Sequence, residues 1–230
     1  MAESGTVAAV LLAAGSGRRL GADEPKAFLW IGGRPLVALS SLAAAASPVV
    51  GSLVVAVPSG MEERATEVLD AIDLPVSVVT GGETRHESVA LALDAVAEDI
   101  SVVVCHDAAR PFASPDLFSA VVEAVDEHVD GAIPVVPIAD TVKRVLSGRI
   151  VGTESREGLA LAQTPQAFRL EALREAHARA SEASVAFTDD ASVMEWAGYR
   201  VAAVHGDPRN FKITTLLDLA RAQARLEGVG

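Results

Sequence analysis

The chain has 230 residues, half of them hydrophobic, so it can bury a full core. Its formal net charge of −12 and its lack of a basic tract argue against nucleic-acid and anionic-membrane partners. The single Cys105 cannot form an internal disulfide, and the five histidines lack the spacing of metal ligands. An acidic residue precedes the first apolar run and arginines follow it, the reverse of a signal peptide, so we expect a cytoplasmic protein.

Short valine-rich stretches alternate with helical patterns along most of the chain. The predicted strands are 7–14, 53–57, 76–80, 102–106, 132–136 and 200–204. The predicted helices are 35–46, 61–72, 87–96, 114–128, 170–181, 189–197 and 215–226. This alternation predicts a single domain over residues 1–230 with an α/β fold, a Rossmann-like and mainly parallel sheet with helices on both faces.

The segment from about 140 to 160 departs from this alternation. Two β-rich stretches, 141–146 and 149–153, flank the dipeptide Ser147-Gly148, which predicts a β-hairpin. The hairpin has no helix of its own to pack against, and an isolated hairpin is only marginally stable in water. We therefore expect an extended β-arm that docks on another surface.

The first predicted strand runs directly into a loop of small and basic residues. Gly15-Ser16-Gly17 comes first, Arg18 and Arg19 follow, and Pro25-Lys26 closes the loop. Glycines allow backbone N–H groups to face an anion at close range, and three cations add charge, so the loop predicts a triphosphate cradle. Its spacing fits neither the P-loop nor the dinucleotide fingerprint. The alternative is a strand-end turn with solvated arginines.

Two further loops follow predicted strands. Gly81-Gly82 comes after the strand 76–80, and Asp107 comes after the strand 102–106. Open α/β sheets bind ligands beyond the carboxyl ends of their strands, so we expect Gly15, Gly81 and Asp107 to meet at one edge. Each feature also has an ordinary interpretation, since the glycines could form a plain βα turn and Asp107 could cap a turn.

These motifs together resemble a known group of enzymes. Ala13-Ala14-Gly15-Ser16-Gly17-Arg18-Arg19 with Pro25-Lys26 is similar to the signature of the sugar-nucleotidyltransferase superfamily. The loop from Gly81 to Val89 matches the G-G-x-x-R-x-x-S-V pattern of its cytidylyltransferase branch. The resemblance extends over about residues 7–226 and points to the 2-C-methyl-D-erythritol 4-phosphate cytidylyltransferases of the non-mevalonate isoprenoid pathway. It implies that CTP and a polyol phosphate react to give 4-diphosphocytidyl-2-C-methyl-D-erythritol and pyrophosphate.

The resemblance also implies roles for individual residues. The implied catalytic residues are Arg19, Lys26, Arg156 and Lys212. The implied nucleotide-binding residues are Ala13, Ala14, Gly15, Ser16, Gly17, Lys26, Gly81, Gly82, Glu83, Ser88 and Asp107. The implied binding residues for the polyol phosphate are Asp107, Arg110, Thr141, Arg156, Thr164, Thr188 and Lys212. Asp107 is also the implied ligand of a divalent cation, Mg²⁺, as oxygen ligands suit this ion.

The resemblance further implies a homodimer in which two subunits exchange their β-arms. Such an exchange would carry Arg156 to the neighbouring subunit, where its planar guanidinium suits phosphate binding. His106 is expected to be structural. At Arg209, members of the family often have an acidic residue, so we expect no second metal ligand there.

Several functions stay open at this point. A cytidylyltransferase for another polyol phosphate, such as ribitol 5-phosphate, shares most of the motifs, and a more distant alternative joins another NTP to a sugar 1-phosphate. From a different class, the chain could be a nucleotide-binding module without catalysis. Arg19, Lys26, Asp107 and Lys212 favour an enzyme. A phosphate dianion is already a competent nucleophile, so the expected reaction needs no general base and depends on positioning and charge.

Overall fold

The computed structural model describes residues 7–15, 17, 24–183, 185 and 187–228. In chain order the strands are β1 (Val7–Leu12), β2 (Trp30–Ile31), β3 (Arg34–Pro35), β4 (Ser52–Val57), β5 (Val76–Thr80), β6 (Val102–Asp107), β7 (Gly131–Pro137), β8 (Lys143–Leu146), β9 (Arg149–Thr153), β10 (Ala160–Ala162), β11 (Gln166–Arg169) and β12 (Val201–His205). The helices are α1 (Leu36–Ala45), α2 (Glu62–Leu69), α3 (Arg85–Asp94), α4 (Pro115–Glu123), α5 (Leu170–Ala183), α6 (Asp190–Ala197) and α7 (Leu216–Leu226). Within these ranges, no helix combines the length and the apolar character needed to span a membrane.

The large central sheet has the strand order β10-β7-β11-β6-β1-β4-β5, with β12 paired to β7. Strands β6, β1, β4 and β5 are parallel neighbours, and β12 is parallel to β7. This arrangement confirms the predicted mainly parallel α/β fold. Strands β10 and β11 are antiparallel additions that the sequence did not predict. They have only three and four residues, which is too short for a clear periodic pattern.

The core lies on both faces of this sheet, as the predicted covering by helices requires. Alternate residues of β1 point to opposite faces. Ala9 and Leu11 pack in a cluster with α1, α2 and α4, whereas Ala8 and Val10 pack in a second cluster with α3, α5 and α6. Burial on both sides explains why the parallel strands are continuous apolar runs in the sequence.

Most of the predicted helix starts are confirmed. The predicted and observed helix ends differ more than the starts do. Ser114 caps α4 by accepting a hydrogen bond from the Leu117 amide, and the predicted capping box at Thr215 opens α7. Helix α4 ends at Glu123, so its predicted extension to residue 128 is wrong. The chain turns instead, with two backbone hydrogen bonds between Asp126 and Val129. Apolar residues just past the helix end continued its pattern in the sequence and hid this turn.

The predicted hairpin is present as a two-stranded sheet of β8 and β9, separate from the central sheet. Ser147 and Gly148 form its turn, and both have positive φ angles, of 47° and 76°. The hairpin exposes the large apolar side chains Val145, Leu146, Ile150 and Val151. The rest of the chain does not cover these side chains, so they can pack against another surface.

Candidate functional site

The carboxyl ends of β1, β5 and β6 meet at a cavity of about 1140 Å³, the larger cavity. Gly15, Gly81 and Asp107 all line it, so the predicted convergence of three strand ends is confirmed. The implied nucleotide-binding residues that line it are Ala13, Ala14, Gly15, Gly17, Lys26, Gly81, Gly82, Glu83, Ser88 and Asp107. Ser16, Arg18 and Arg19 lie outside the described residues.

Two glycines allow the loops around the larger cavity to approach each other closely. A Cβ atom at Gly81 would lie 2.4 Å from Cβ of Ala14, on the loop after β1. Gly17 has a φ of +63°, and its Cβ would lie 2.5 Å from Cβ of Lys26. Both distances are below van der Waals contact, so a larger residue would push the loops apart.

The loop after β5 is held by its own hydrogen bonds and by the cap of α3. The Glu87 carboxylate accepts hydrogen bonds from the amides of Glu83 and Thr84, at 2.8 and 3.2 Å. The Ser88 hydroxyl accepts from the Gly82 amide at 3.1 Å and donates to the Thr84 carbonyl at 2.9 Å. Ser88 therefore fixes the loop, and its contact with a base stays a prediction.

A smaller cavity of about 220 Å³ adjoins the larger one. Three residues, Arg85, Asp107 and Lys212, line both cavities and are called the shared residues here. Of the residues implied to bind a polyol phosphate, those that line the smaller cavity are Asp107, Arg110, Thr164, Thr188 and Lys212. The structure thus places two adjacent cavities around one carboxylate.

Thr141 and Arg156 are located elsewhere. Among the residues that the structure describes, Thr141 and Arg156 line neither cavity. The Arg156 guanidinium donates hydrogen bonds to the carbonyls of Ile138 and Ala139, at the base of the hairpin. Both Thr141 and Arg156 are exposed. The chain therefore does not bring these two residues to either cavity, and their roles stay predictions.

Asp107 lies at the end of β6 with three cations around its carboxylate. Lys212 Nζ is 2.7 Å from Oδ2, Arg85 Nε is 3.7 Å from Oδ1, and Arg110 Nε is 4.0 Å from Oδ2. Burial opposes ionisation, but Lys212, Arg85 and Arg110 outweigh it and lower the pKa of Asp107 to about 2. The group is therefore a carboxylate at neutral pH.

His106 is buried directly behind Asp107. The Asp107 amide donates to Thr164 Oγ1 at 3.0 Å. The Arg110 carbonyl can only accept, so the proton of the neutral His106 ring is on Nε2, and Nδ1 accepts from the Thr164 hydroxyl at 3.0 Å. His106 Nε2 then donates to the Arg110 carbonyl at 3.0 Å. Burial lowers the pKa of His106 to about 4, so its ring is neutral. This arrangement supports the structural role expected for His106.

Neither Arg85 nor Asn210 has a role implied by the sequence motifs. Arg85 is the arginine of the G-G-x-x-R pattern, and this position was the one available signal for it. Asn210 is buried; its side chain donates to the Thr164 carbonyl at 2.8 Å, and its own carbonyl accepts from Arg110 at 2.8 Å. Asn210 thereby fixes the segment that carries Lys212, a role with no local sequence signature.

Asp107→Asn should destabilise the fold at neutral pH, because Lys212, Arg85 and Arg110 lose their counter-charge. The pKa of Asp107 in the folded protein lies below the ordinary 3.8. The ionised Asp107 therefore stabilises the wild type fully above pH 3.8, and this stabilisation is lost as the pH falls through about 2. The shift corresponds to roughly 2 kcal/mol. Urea unfolding measures the free energy of unfolding of both proteins, and the difference between wild type and variant should become smaller as the pH falls from 3.8 to about 2. A constant gap would contradict the ion pairing, and the exposed Asp99→Asn serves as control.

Comparisons with known proteins agree with this geometry. The model of the IspD family, 2-C-methyl-D-erythritol 4-phosphate cytidylyltransferase, matches residues 7–228. A relative of that name from Corynebacterium diphtheriae is 42% identical over 225 residues, which cover 95% of this chain and 92% of the relative. A solved structure from Anaerococcus prevotii, a 4-diphosphocytidyl-2C-methyl-D-erythritol synthase, has a TM-score of 0.85 at 28% identity and covers 96% of each chain.

A second solved structure is that of the 2-C-methyl-D-erythritol 4-phosphate cytidylyltransferase from Thermus thermophilus. It has a TM-score of 0.80 at 36% sequence identity, and the match covers 95% of this chain and 98% of that one. Family, relative and structures agree over almost the whole length of the chain. The chain belongs to the IspD family of 2-C-methyl-D-erythritol 4-phosphate cytidylyltransferases.

Proposed function

We propose that this chain transfers the cytidylyl group of CTP to 2-C-methyl-D-erythritol 4-phosphate and releases pyrophosphate. The observation that carries this function is the pair of adjacent cavities that share Arg85, Asp107 and Lys212. The larger cavity has the glycine-rich loops suited to a nucleoside triphosphate. The smaller one has the cations Arg85, Arg110 and Lys212, which suit a phosphate monoester. Membership of the IspD family selects CTP and the polyol.

The transfer is a substitution at the α-phosphorus of CTP. An oxygen of the polyol phosphate forms the new P–O bond, and the bond to the bridging oxygen of pyrophosphate breaks. The attacking oxygen belongs to a phosphate dianion, which carries no proton to remove. His106, the histidine beside Asp107, is buried and neutral, and its two ring nitrogens are hydrogen-bonded to the Thr164 hydroxyl and the Arg110 carbonyl. Catalysis is therefore positioning of the two substrates together with stabilisation of negative charge.

The cations divide between the two sides of this reaction. Lys26 lines the larger cavity, where it would stabilise charge on the leaving pyrophosphate together with Arg19. Arg110 lines the smaller cavity, where it would bind the phosphate of the polyol. Lys212 lines both cavities and can contact both reacting groups. Its ammonium already lies against Asp107, which holds it at the boundary.

Pyrophosphate release by the purified protein tests this function. We expect release to require CTP and 2-C-methyl-D-erythritol 4-phosphate together. UTP, ATP and GTP should be at least tenfold less effective, because a hydrogen-bonding base pocket rejects a mismatched base strongly. Ribitol 5-phosphate in place of the polyol tests the nearest alternative. Equal rates with UTP would contradict the cytidine assignment, and faster release with ribitol 5-phosphate would reassign the second substrate.

We propose further that Mg²⁺ binds at Asp107 when the triphosphate is present. Among the described residues no group of three or more His, Cys, Asp or Glu side chains could hold a metal ion. One ionised carboxylate at the junction of two cavities nevertheless fits an ion that takes its other ligands from phosphates and water. At the position where family members often have an acidic residue, Arg209 pairs with Asp207 at 2.9 Å. The bound ion would neutralise phosphate charge.

Asp107→Asn should raise the Mg²⁺ concentration that gives half-maximal activity, by about tenfold, and lower the maximal rate. An amide oxygen is a weaker ligand for a hard cation than a carboxylate. Magnesium titrations at saturating CTP measure the effect, and binding of Mn²⁺ in the presence of CTP gives a readout without turnover. Asp99→Asn, at an exposed aspartate that lines neither cavity, is the matched control. An unchanged magnesium dependence in Asp107→Asn would show that Asp107 has a structural role and is not a metal ligand.

We also propose that two subunits exchange the arm that β8 and β9 form. Its exposed apolar side chains support a docking partner, and a second copy of the chain provides one in a twofold arrangement. Arg156 and Thr141 do not line the cavities that their own chain forms in the described residues. An exchanged arm would bring both residues to the neighbouring site.

Mixed dimers test the exchanged arm. Lys26→Ala removes a cation from the cavity of one chain, and Arg156→Ala removes a cation from the arm, so each variant alone should be nearly inactive. In a mixed dimer one site receives both defects and the other receives none. After subunit exchange, activity should return to roughly a quarter of wild type, because half of the dimers are mixed and each has one intact site. Confirmed exchange without recovered activity would show that Arg156 acts within its own chain.

A further inference from the structure

A buried carboxylate, Asp190, lies behind the shared residues and is not used by the mechanism above. Its side chain is fully buried and lines neither cavity. Oδ2 accepts a hydrogen bond from Arg85 Nη2 at 2.7 Å, and Oδ1 lies 3.2 Å from His177 Nε2. Burial opposes ionisation, but Arg85 and His177 lower the pKa of Asp190, so it is a carboxylate. A carboxylate only accepts hydrogen bonds, so His177 donates to it.

Arg85 and Asp190 are fixed by two helix N-termini. Arg85 is the first residue of α3 and Asp190 is the first residue of α6, and each helix begins with a capping box. A cation at a helix N-terminus is unfavourable, because the helix dipole places positive charge there. A buried ion pair is also weak evidence for stability, as the loss of hydration offsets the attraction. Helix stability therefore does not explain why an arginine occupies this position.

The position of the Arg85 guanidinium suggests a different reason. Arg85 lines both cavities, and its Nε is 3.7 Å from Oδ1 of Asp107. Two carboxylates thus compete for one guanidinium, and Asp190 is the nearer by 1.0 Å. A guanidinium has five N–H donors in a rigid plane, so contact with Asp190 leaves others able to reach phosphate oxygens. Without Asp190, the remaining carboxylate would draw Arg85 toward Asp107.

We propose that Arg85 is a catalytic residue that contacts phosphate oxygens at the boundary of the two cavities, and that Asp190 is the positioning residue that holds its guanidinium there. The proposal rests on the cytidylyl transfer proposed above. Arg85 can reach both substrates from this boundary. Its charge therefore stabilises most strongly the transition state, in which negative charge is shared between the two substrates. Asp190 acts only through Arg85, which makes their effects on the reaction interdependent.

A double-mutant cycle tests this dependence. Arg85→Gln should lower kcat/KM about a hundredfold, as the loss of one electrostatic contact to the transition state does. Asp190→Asn should lower kcat/KM about tenfold, because a displaced guanidinium still carries its charge. The double variant should match Arg85→Gln within about threefold, since Asp190 has nothing left to position. Effects that multiply to about a thousandfold would overturn the proposal.

Two further variants separate positioning from stability. Val193→Ala, a buried residue on α6 that lines neither cavity, should lower Tm and leave kcat/KM within about twofold of wild type. If Asp190→Asn behaves in the same way, Asp190 is structural and the proposal is wrong. Arg85→Lys keeps the charge beside Asp190, so it remains informative if Asp190→Asn does not fold. It should lower kcat/KM at least tenfold with a Tm near wild type, and an unchanged kcat/KM would overturn the role of Arg85.

Calorimetric titration with CTP gives a readout that needs no turnover. CTP should bind about tenfold more weakly to Arg85→Gln and to Asp190→Asn than to wild type, and equally well to Val193→Ala. If the wild type binds CTP but transfers no cytidylyl group, the proposed function fails, and weaker binding by the two variants would still support the contact. If the wild type is active and both variants bind CTP normally with normal kcat/KM, the inference fails and the function stands.

Discussion

The carboxylate of Asp107 is the group on which the site depends. It is buried at the end of β6 against Lys212, Arg85 and Arg110, and its attraction to these three cations exceeds the cost of its own burial. The same carboxylate keeps the cations together, because without an anion between them they would repel one another in a site of low dielectric. The pairing therefore assembles positive charge before any phosphate arrives. Negatively charged substrates meet a site that is already organised.

The fold places this carboxylate by making β6 one of the inner strands of the sheet. Strand β6 lies between β1 and β11, so its backbone is hydrogen-bonded on both sides. Behind it, the Asp107 amide, the Thr164 hydroxyl and the neutral His106 form a chain of hydrogen bonds that ends on the Arg110 carbonyl. This chain fixes the backbone of Asp107 and of Arg110, from which the carboxylate and one of its cations extend. Such prior organisation is what electrostatic catalysis requires, since little is then left to reorganise during the reaction.

Local sequence patterns predicted the elements and the edge of the sheet at which the site lies. The apolar character of β1, β5 and β6 predicted these strands, and the glycines and Asp107 that follow them predicted their convergence. Strands β10 and β11 and the early end of α4 were missed because short or continuing apolar stretches carry no boundary signal. The pair of Arg85 and Asp190 was missed for another reason: its members are 105 residues apart. The roles taken from the family, and the cytoplasmic location, stay predictions.

The most direct test of two substrates meeting at Asp107 is a crystal structure of the ternary complex. It would contain 2-C-methyl-D-erythritol 4-phosphate and a CTP analogue with a methylene group between the α- and β-phosphorus atoms. The account predicts the nucleotide in the larger cavity and the polyol phosphate in the smaller one. A phosphate oxygen should lie about 3 to 3.5 Å from the α-phosphorus, in line with the methylene bridge. A polyol phosphate bound away from Arg85, Asp107 and Lys212 would contradict it.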